Sequence, residues 1–98
     1  MFNISRKQTQ IEELCLQFKI AKLELFGSAV RDDFDDNSDL DFIVEFLDEQ
    51  KVFDRYFDFK EALELLFSRK VDLVMPEAIK NKYFKQSIEN ERQPIYET

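Results

Sequence analysis

A single glycine, Gly27, stands in the 98 residues of this chain, and only two prolines, Pro76 and Pro94, accompany it. Tight turns favour residues that tolerate positive φ or arrive with φ already fixed, so a chain this poor in both is not a turn-rich all-β protein. Nor is it a disordered tail. Its hydrophobic content is 44%, and eleven phenylalanines supply much of the volume of a core. What remains is a few helices joined to a few strands. The length suffices for one domain and not for two, and no repeat, linker or low-complexity tract divides it. Residues 1–98 are therefore expected to form a single domain with a modest core.

The periodicities place the elements. Ser5 with Gln8, or Thr9 with Glu12, has the form of a capping box. Ile11, Leu14, Cys15 and Phe18 follow at offsets 0, 3, 4 and 7, one face of a helix. Lys22 to Phe26 alternates polar and apolar residues and predicts a short strand ending at Gly27. Residues 32 to 39 form a polar loop. From Asp39 to Phe46 the alternation resumes, with Asp39, Asp41, Ile43 and Glu45 on one side and Leu40, Phe42, Val44 and Phe46 on the other. A long helix, about Gln50 to Ser68, carries Val52, Tyr56, Phe59, Leu63 and Leu66 as its apolar stripe. Val71 to Met75 predicts a third strand, apolar except for Asp72. Pro76 suits the first turn of a last helix bearing Ile79, Tyr83 and Ile88. Gln93 to Tyr96 predicts a short edge strand, where proline is tolerated. The fold class is α+β, with helices packed on a small mixed sheet.

Charge and residue types narrow the function. Fourteen basic residues against 21 acidic ones leave a net charge of −7, which disfavours passive binding to nucleic-acid backbones. Lys80, Lys82 and Lys85 read as the solvated face of a helix. No histidine is present, which excludes imidazole bases, His-containing triads and zinc sites of the Cys/His type. Cys15, the lone cysteine, cannot form an internal disulfide and falls in line with core positions. No stretch is long and apolar enough for a membrane span and no signal peptide opens the chain, so a cytoplasmic protein is expected. Any chemistry must come from carboxylates, hydroxyls, amines and the backbone.

Three groups of residues can supply it. Asp39 and Asp41, two apart on a strand, project to one face and can share a cation; magnesium accepts one or two carboxylates together with substrate phosphates and water. A solvated strand end is the plainer account of the same pair. Asp72, among Val71, Leu73 and Val74, is costly to bury unless paired or metal-bound. A strand end, or a partner in Arg69 or Lys70, would serve equally. Gly27-Ser28, between a strand and a helical turn, can cradle phosphate with free amides, or simply make a capped turn. Asp33, Asp35 and Asn37 begin like a calcium loop, but Ser38 and Val44 stand where its glycine and glutamate are required, which rules that motif out.

Together, Gly27-Ser28, ten residues, and Asp39-Leu40-Asp41 resemble the minimal nucleotidyltransferase (MNT) domain of the DNA polymerase β-like superfamily. Arg31 and Ser38 match frequent residues inside the gap. Leu63 to Val74 is similar to the helix and strand that deliver a third aspartate, and Gln93 to Glu97 is similar to the family's ending. Asp32 and Ser68 depart from it, each standing where glycine is common. The resemblance implies two magnesium ions held by Asp39, Asp41 and Asp72, with ATP as the substrate. Asp72 would accept the proton of the incoming hydroxyl. Gly27 and Ser28 would hold the β/γ-phosphates, and Arg31 would contact phosphate or substrate, or answer the acidic loop.

Stand-alone members resemble antitoxins of HEPN/MNT toxin–antitoxin pairs. That resemblance implies AMP transfer to a tyrosine hydroxyl on a HEPN ribonuclease toxin, the expected partner. Phe53 and Phe57, beside the main stripe of the long helix, are either a partner surface or additional core. Two other readings stay open. One is a non-catalytic antitoxin that neutralises its partner by covering it. The other is an α+β domain whose acidic loop only faces water.

Overall fold

Ile11 and Cys15 lie about one turn apart on α1 (Gln8–Gln17), and both are fully buried. Leu14 and Phe18 pack partly buried against the same core, so the spacing in the sequence marks the face that is covered. The computed structural model describes residues 3–30, 35, 37–76 and 92–98, Ser28 by its backbone alone. The expected last helix with Ile79, Tyr83 and Ile88, the lysines beside it, and Arg31 and Asp32 all lie outside the described residues. The start of α1 departs from the expected capping box. A 3-10 turn, Ser5–Lys7, precedes it, and the cap position Lys7 makes no side-chain cap. Ser5 is engaged elsewhere: its amide and hydroxyl donate to Asn3 Oδ1 at 3.0 and 2.6 Å. Gln8 ties the helix across the molecule, donating to the Ile95 carbonyl at 2.9 Å.

Among the described residues four strands make one mixed sheet: β1 (Ile20–Phe26), β2 (Leu40–Phe46), β3 (Val71–Val74) and β4 (Arg92–Glu97), in the order β3-β2-β1-β4. β1 pairs antiparallel with β2 and with β4, whereas β2 and β3 are parallel. β1 starts two residues before the alternation from Lys22, β2 starts one residue after Asp39, and β3 stops at Val74. β4 is an edge strand, so the missing amide hydrogen of Pro94 is tolerated as expected.

A parallel pair needs a crossover, and α2 (Val52–Phe67) provides it. Phe59 and Leu63 are its fully buried residues, flanked by partly buried Tyr56 and Leu66. Both cap positions adopt left-handed backbone, Lys51 with φ 49° and Ser68 with φ 54°. That conformation at a helix C-terminus favours glycine, because a Cβ crowds the next carbonyl. It explains physically why Ser68 is an unusual residue at its position.

Along β2 the expected alternation holds. Leu40, Phe42 and Val44 are fully buried in the main core with Leu23, Leu25, Val71, Leu73 and residues of both helices. The opposite face is less polar than the pattern suggested. Phe26 and Ile43 are buried there in a small cluster of their own, with Val74 against it. This second face is the one that carries the aspartates.

Candidate active site

The pairing register aligns the acidic residues. Phe26 on β1 is the partner of Asp41 on β2, and Asp41 is the partner of Asp72 on β3. Residues abreast on neighbouring strands share a face, so the two carboxylates stand side by side. It is the parallel pairing of β3 with β2 that brings them together. Asp72 is exposed, not buried among its apolar neighbours. Its cost is therefore not desolvation but the repulsion of a like charge on the next strand, a cost that a cation would remove. Asp72 has no hydrogen-bonding or ionic partner among the described residues. Asp41 is half-buried and Asp39, just outside the strand, is exposed. Among the described residues no three acidic groups are gathered closely enough to form a complete metal cage by themselves.

Gly27 is pressed against the Asp41 member of this pair. It has φ +74°, and a Cβ placed on it would stand 2.5 Å from Asp41 Oδ2. The only glycine thus serves two needs at once: a left-handed turn out of β1, and close approach of the backbone to a carboxylate. Gly27–Val30 then forms a 3-10 turn, which matches the expected strand-to-turn context of Gly27-Ser28.

The loop that delivers Asp39 is held by a knot of local bonds. Asp35 Oδ1 accepts the Asn37 amide at 2.8 Å and the Ser38 hydroxyl at 3.2 Å, and the Ser38 amide donates to the Asp35 carbonyl at 3.1 Å. Arg69, at the start of the β3 side, donates to the carbonyls of Ser38 at 2.8 Å and Asp35 at 3.2 Å. Leu40 then joins the sheet, its amide donating to the Lys70 carbonyl at 3.0 Å. Ser38, noted in the gap, is thus a loop-forming residue. Arg69, weighed as a partner for Asp72, instead clasps the loop backbone.

β3 carries Asp72 at one end of the strand order among the described residues, where backbone groups on its outer side need partners. α2 supplies them. Glu64 Oε2 accepts the Val71 amide at 3.1 Å, and the Tyr56 hydroxyl donates to the Leu73 carbonyl at 2.6 Å. These bonds bracket Asp72 on both sides and fix its strand. No periodicity in the sequence marks Glu64 or Arg69 for such work, since both occupy positions that read as ordinary helix surface and helix end.

Two cavities flank these elements. One of about 650 Å³ surrounds Arg55, Asp48 and Lys51, with Asp54 and Asp58 one turn apart on α2, away from the aspartate row. The other, about 380 Å³ and apolar, is walled by Phe53, Tyr56, Phe57, Leu73, Val74 and Met75, next to Asp72 along β3. Phe53 and Phe57 are 78% and 61% exposed there, which excludes the expectation that they are additional core.

The model of the nucleotidyltransferase domain family matches residues 7–95. MJ0128 of Methanocaldococcus jannaschii is 38% identical over 89 residues, covering 91% of this chain and 88% of its own. The protein adenylyltransferase MntA of Thermococcus cleftensis is 34% identical over 70 residues, 71% of this chain and 70% of its own. Among solved structures, a "putative minimal nucleotidyltransferase" matches with a TM-score of 0.76 at 25% identity, covering 93% of this chain and 91% of that one. The MNT antitoxin solved with a tri-AMPylated Shewanella oneidensis HEPN toxin shares the fold, with a TM-score of 0.63 at 19% identity over 98% of this chain and 74% of that one. No helix among the described residues is long and apolar enough to cross a membrane. The glycine turn, the abreast aspartates and the extent of these matches agree: the chain belongs to the nucleotidyltransferase domain family.

Proposed function

We propose that this protein transfers AMP from ATP to a hydroxyl of a protein partner, a tyrosine on a HEPN ribonuclease toxin, and so acts as that toxin's antitoxin. The observation that carries the reading is the placement of Asp41 and Asp72 abreast on one face with Gly27 against the Asp41 carboxylate. The donor set is all oxygen, as magnesium prefers, and its crowded like charges ask for a cation. Asp39, Asp41 and Asp72 would hold two magnesium ions with the nucleotide's phosphates completing the shells. The metals would offset charge on the attacking and leaving oxygens of an in-line displacement.

The chain's own groups do the rest. Amides of the Gly27–Val30 turn, with Ser28 and Arg31, receive the β/γ-phosphates. The incoming hydroxyl oxygen bonds to the α-phosphorus as the bond from that phosphorus to the bridging oxygen breaks. Pyrophosphate leaves, and the hydroxyl proton passes to the Asp72 carboxylate, which is exposed and carries no other hydrogen bond among the described residues. Phe53 and Phe57, presented beside β3, support an acceptor that is a folded protein with apolar surface of its own. The T. cleftensis relative, a protein adenylyltransferase, and the S. oneidensis complex of a tri-AMPylated HEPN toxin with its MNT antitoxin support the same reading.

The test is mass spectrometry of the HEPN partner after incubation with catalytic amounts of this chain, ATP and magnesium. A gain of one or more AMP groups on tyrosine, absent with Asp41→Ala and in EDTA, is expected. A partner that is inhibited but unmodified would replace transfer by simple masking.

A further inference from the structure

Glu24 is the one buried charged residue among the described residues, 4% exposed, and it lies on the same face of the sheet as Asp41. Burial of a carboxylate is tolerated only with close partners. It has two. Lys22 Nζ stands 3.3 Å from Oε1, and Arg92 Nε stands 3.2 Å from Oε2. Lys22 alone would neutralise Glu24, so the trio carries one net positive charge in a chain whose total is −7.

The register shows where that charge sits. Arg92 on β4 is the partner of Phe26, and Phe26 is the partner of Asp41. Arg92, Phe26, Asp41 and Asp72 therefore form a single row across all four strands. With strands about 4.8 Å apart, the Arg92 backbone is about 10 Å from that of Asp41, beside the residue that precedes Gly27. The Arg92 side chain is 39% exposed, and only its Nε is engaged among the described residues. A guanidinium has five N–H donors, so both terminal amino groups remain without a partner among the described residues.

We infer that Arg92 is a nucleotide-binding residue, oriented by Glu24, that grips the terminal phosphates of the triphosphate. The assignment rests on the nucleotidyl-transfer reading above and adds a residue to it. The row then has opposite ends suited to opposite tasks. Asp41 and Asp72 hold cations at the reacting phosphate, and Arg92 meets the anionic end near the Gly27 turn. Because Glu24 is fixed by Lys22 on its other oxygen, the guanidinium is held in place before the nucleotide arrives. Arginine suits this task through its paired, planar donors, which a lysine ammonium lacks. Glu24 acts through Arg92 and is a positioning residue.

Calorimetry of ATP and AMP binding in magnesium, on the full chain, tests the assignment. Arg92→Gln leaves Glu24 paired with Lys22, lies on an edge strand, and should fold as the parent does. Its ATP affinity should fall on the order of ten- to a hundredfold, the usual loss for a charge-assisted contact, while AMP affinity stays unchanged. Arg92→Lys should recover part of the loss. Glu24→Gln should weaken ATP more than AMP, a difference that a purely structural role would not produce. Equal ATP binding by the parent and by folded Arg92→Gln would overturn the assignment of Arg92 alone, as would equal losses for ATP and AMP. A parent chain that binds no ATP would sink the nucleotidyl-transfer reading and this assignment with it.

Discussion

Replacing Gly27 by alanine separates the fold from the chemistry. The added Cβ would stand 2.5 Å from Asp41 Oδ2 and 3.4 Å from its Cγ. The first distance is below any ordinary contact, and the second is at its limit. The clash is therefore with the far end of a side chain, which can turn away, and not with backbone. Relief requires the carboxylate to retreat by about 1 Å, and a displacement of that size at a reacting centre costs about a hundredfold in rate. The backbone adds its own penalty. At φ +74°, an L-residue is less stable than glycine by about 1 to 2 kcal/mol. The expected variant is thus folded, slightly destabilised and nearly inactive. Urea unfolding measures the first effect, and single-turnover AMP transfer at saturating ATP and magnesium measures the second. Combining Gly27→Ala with Asp41→Ala removes the clash, so only the backbone strain of about 1 to 2 kcal/mol should remain in that background. A Gly27→Ala protein with the parent's transfer rate would refute the claim that this glycine exists to let the backbone meet Asp41. A loss beyond about 4 kcal/mol would show a packing role in place of a catalytic one.

Three further outcomes follow from groups away from the aspartates. Arg55 donates to the carbonyls of Phe18 at 3.0 Å, Lys19 at 2.8 Å and Gln50 at 2.8 Å, bonds the Asp48 carboxylate at 2.6 Å, and lies 5.1 Å above the Phe46 ring. Arg55→Lys cannot reproduce that fork and should cost about 2 to 3 kcal/mol in urea unfolding; an unchanged midpoint would refute the role of the knot. Ser68→Gly relaxes the left-handed end of α2 and should raise stability by about 1 kcal/mol, seen as a higher thermal midpoint. Burial, with Glu12 adding to it, pushes the Cys15 thiol up to about 12 from 9.0. A raised folded value means the contribution is fully present below pH 9.0 and is lost as pH climbs toward 12. At neutral pH a thiol reagent should therefore label Cys15 only as fast as the chain opens, and immediate labelling of native protein would contradict the burial.

The chain by itself determined the order of its elements over the described residues and the identity of its acidic residues. Local spacing is enough for that, because burial on one face of a helix or strand imposes its period on the sequence. The faces of α1, β2 and α2 were legible in this way, and so was the edge position of Pro94. The gap from Gly27-Ser28 to Asp39 and Asp41 was legible for the same reason, since a turn and a strand end are local events. Boundaries were less so. Of the two expected capping boxes, the one at Ser5 failed because Asn3 engages Ser5, and the one at Thr9 because α1 already starts at Gln8. Only the tertiary structure decided how distant strands align. Its apolar neighbours left Asp72 open to burial with a partner or to exposure at a strand end, and β3 turns it outward, exposed and abreast of Asp41. Glu24 looked like one more polar residue in an alternating strand, yet it is buried between Lys22 and Arg92, the latter 68 residues further along the chain. Arg69 and Glu64 found their work in the same way, on the loop before Asp39 and on the edge of β3. Pairing across a sheet depends on register between segments that share no local signal, and register is what brings charge to charge.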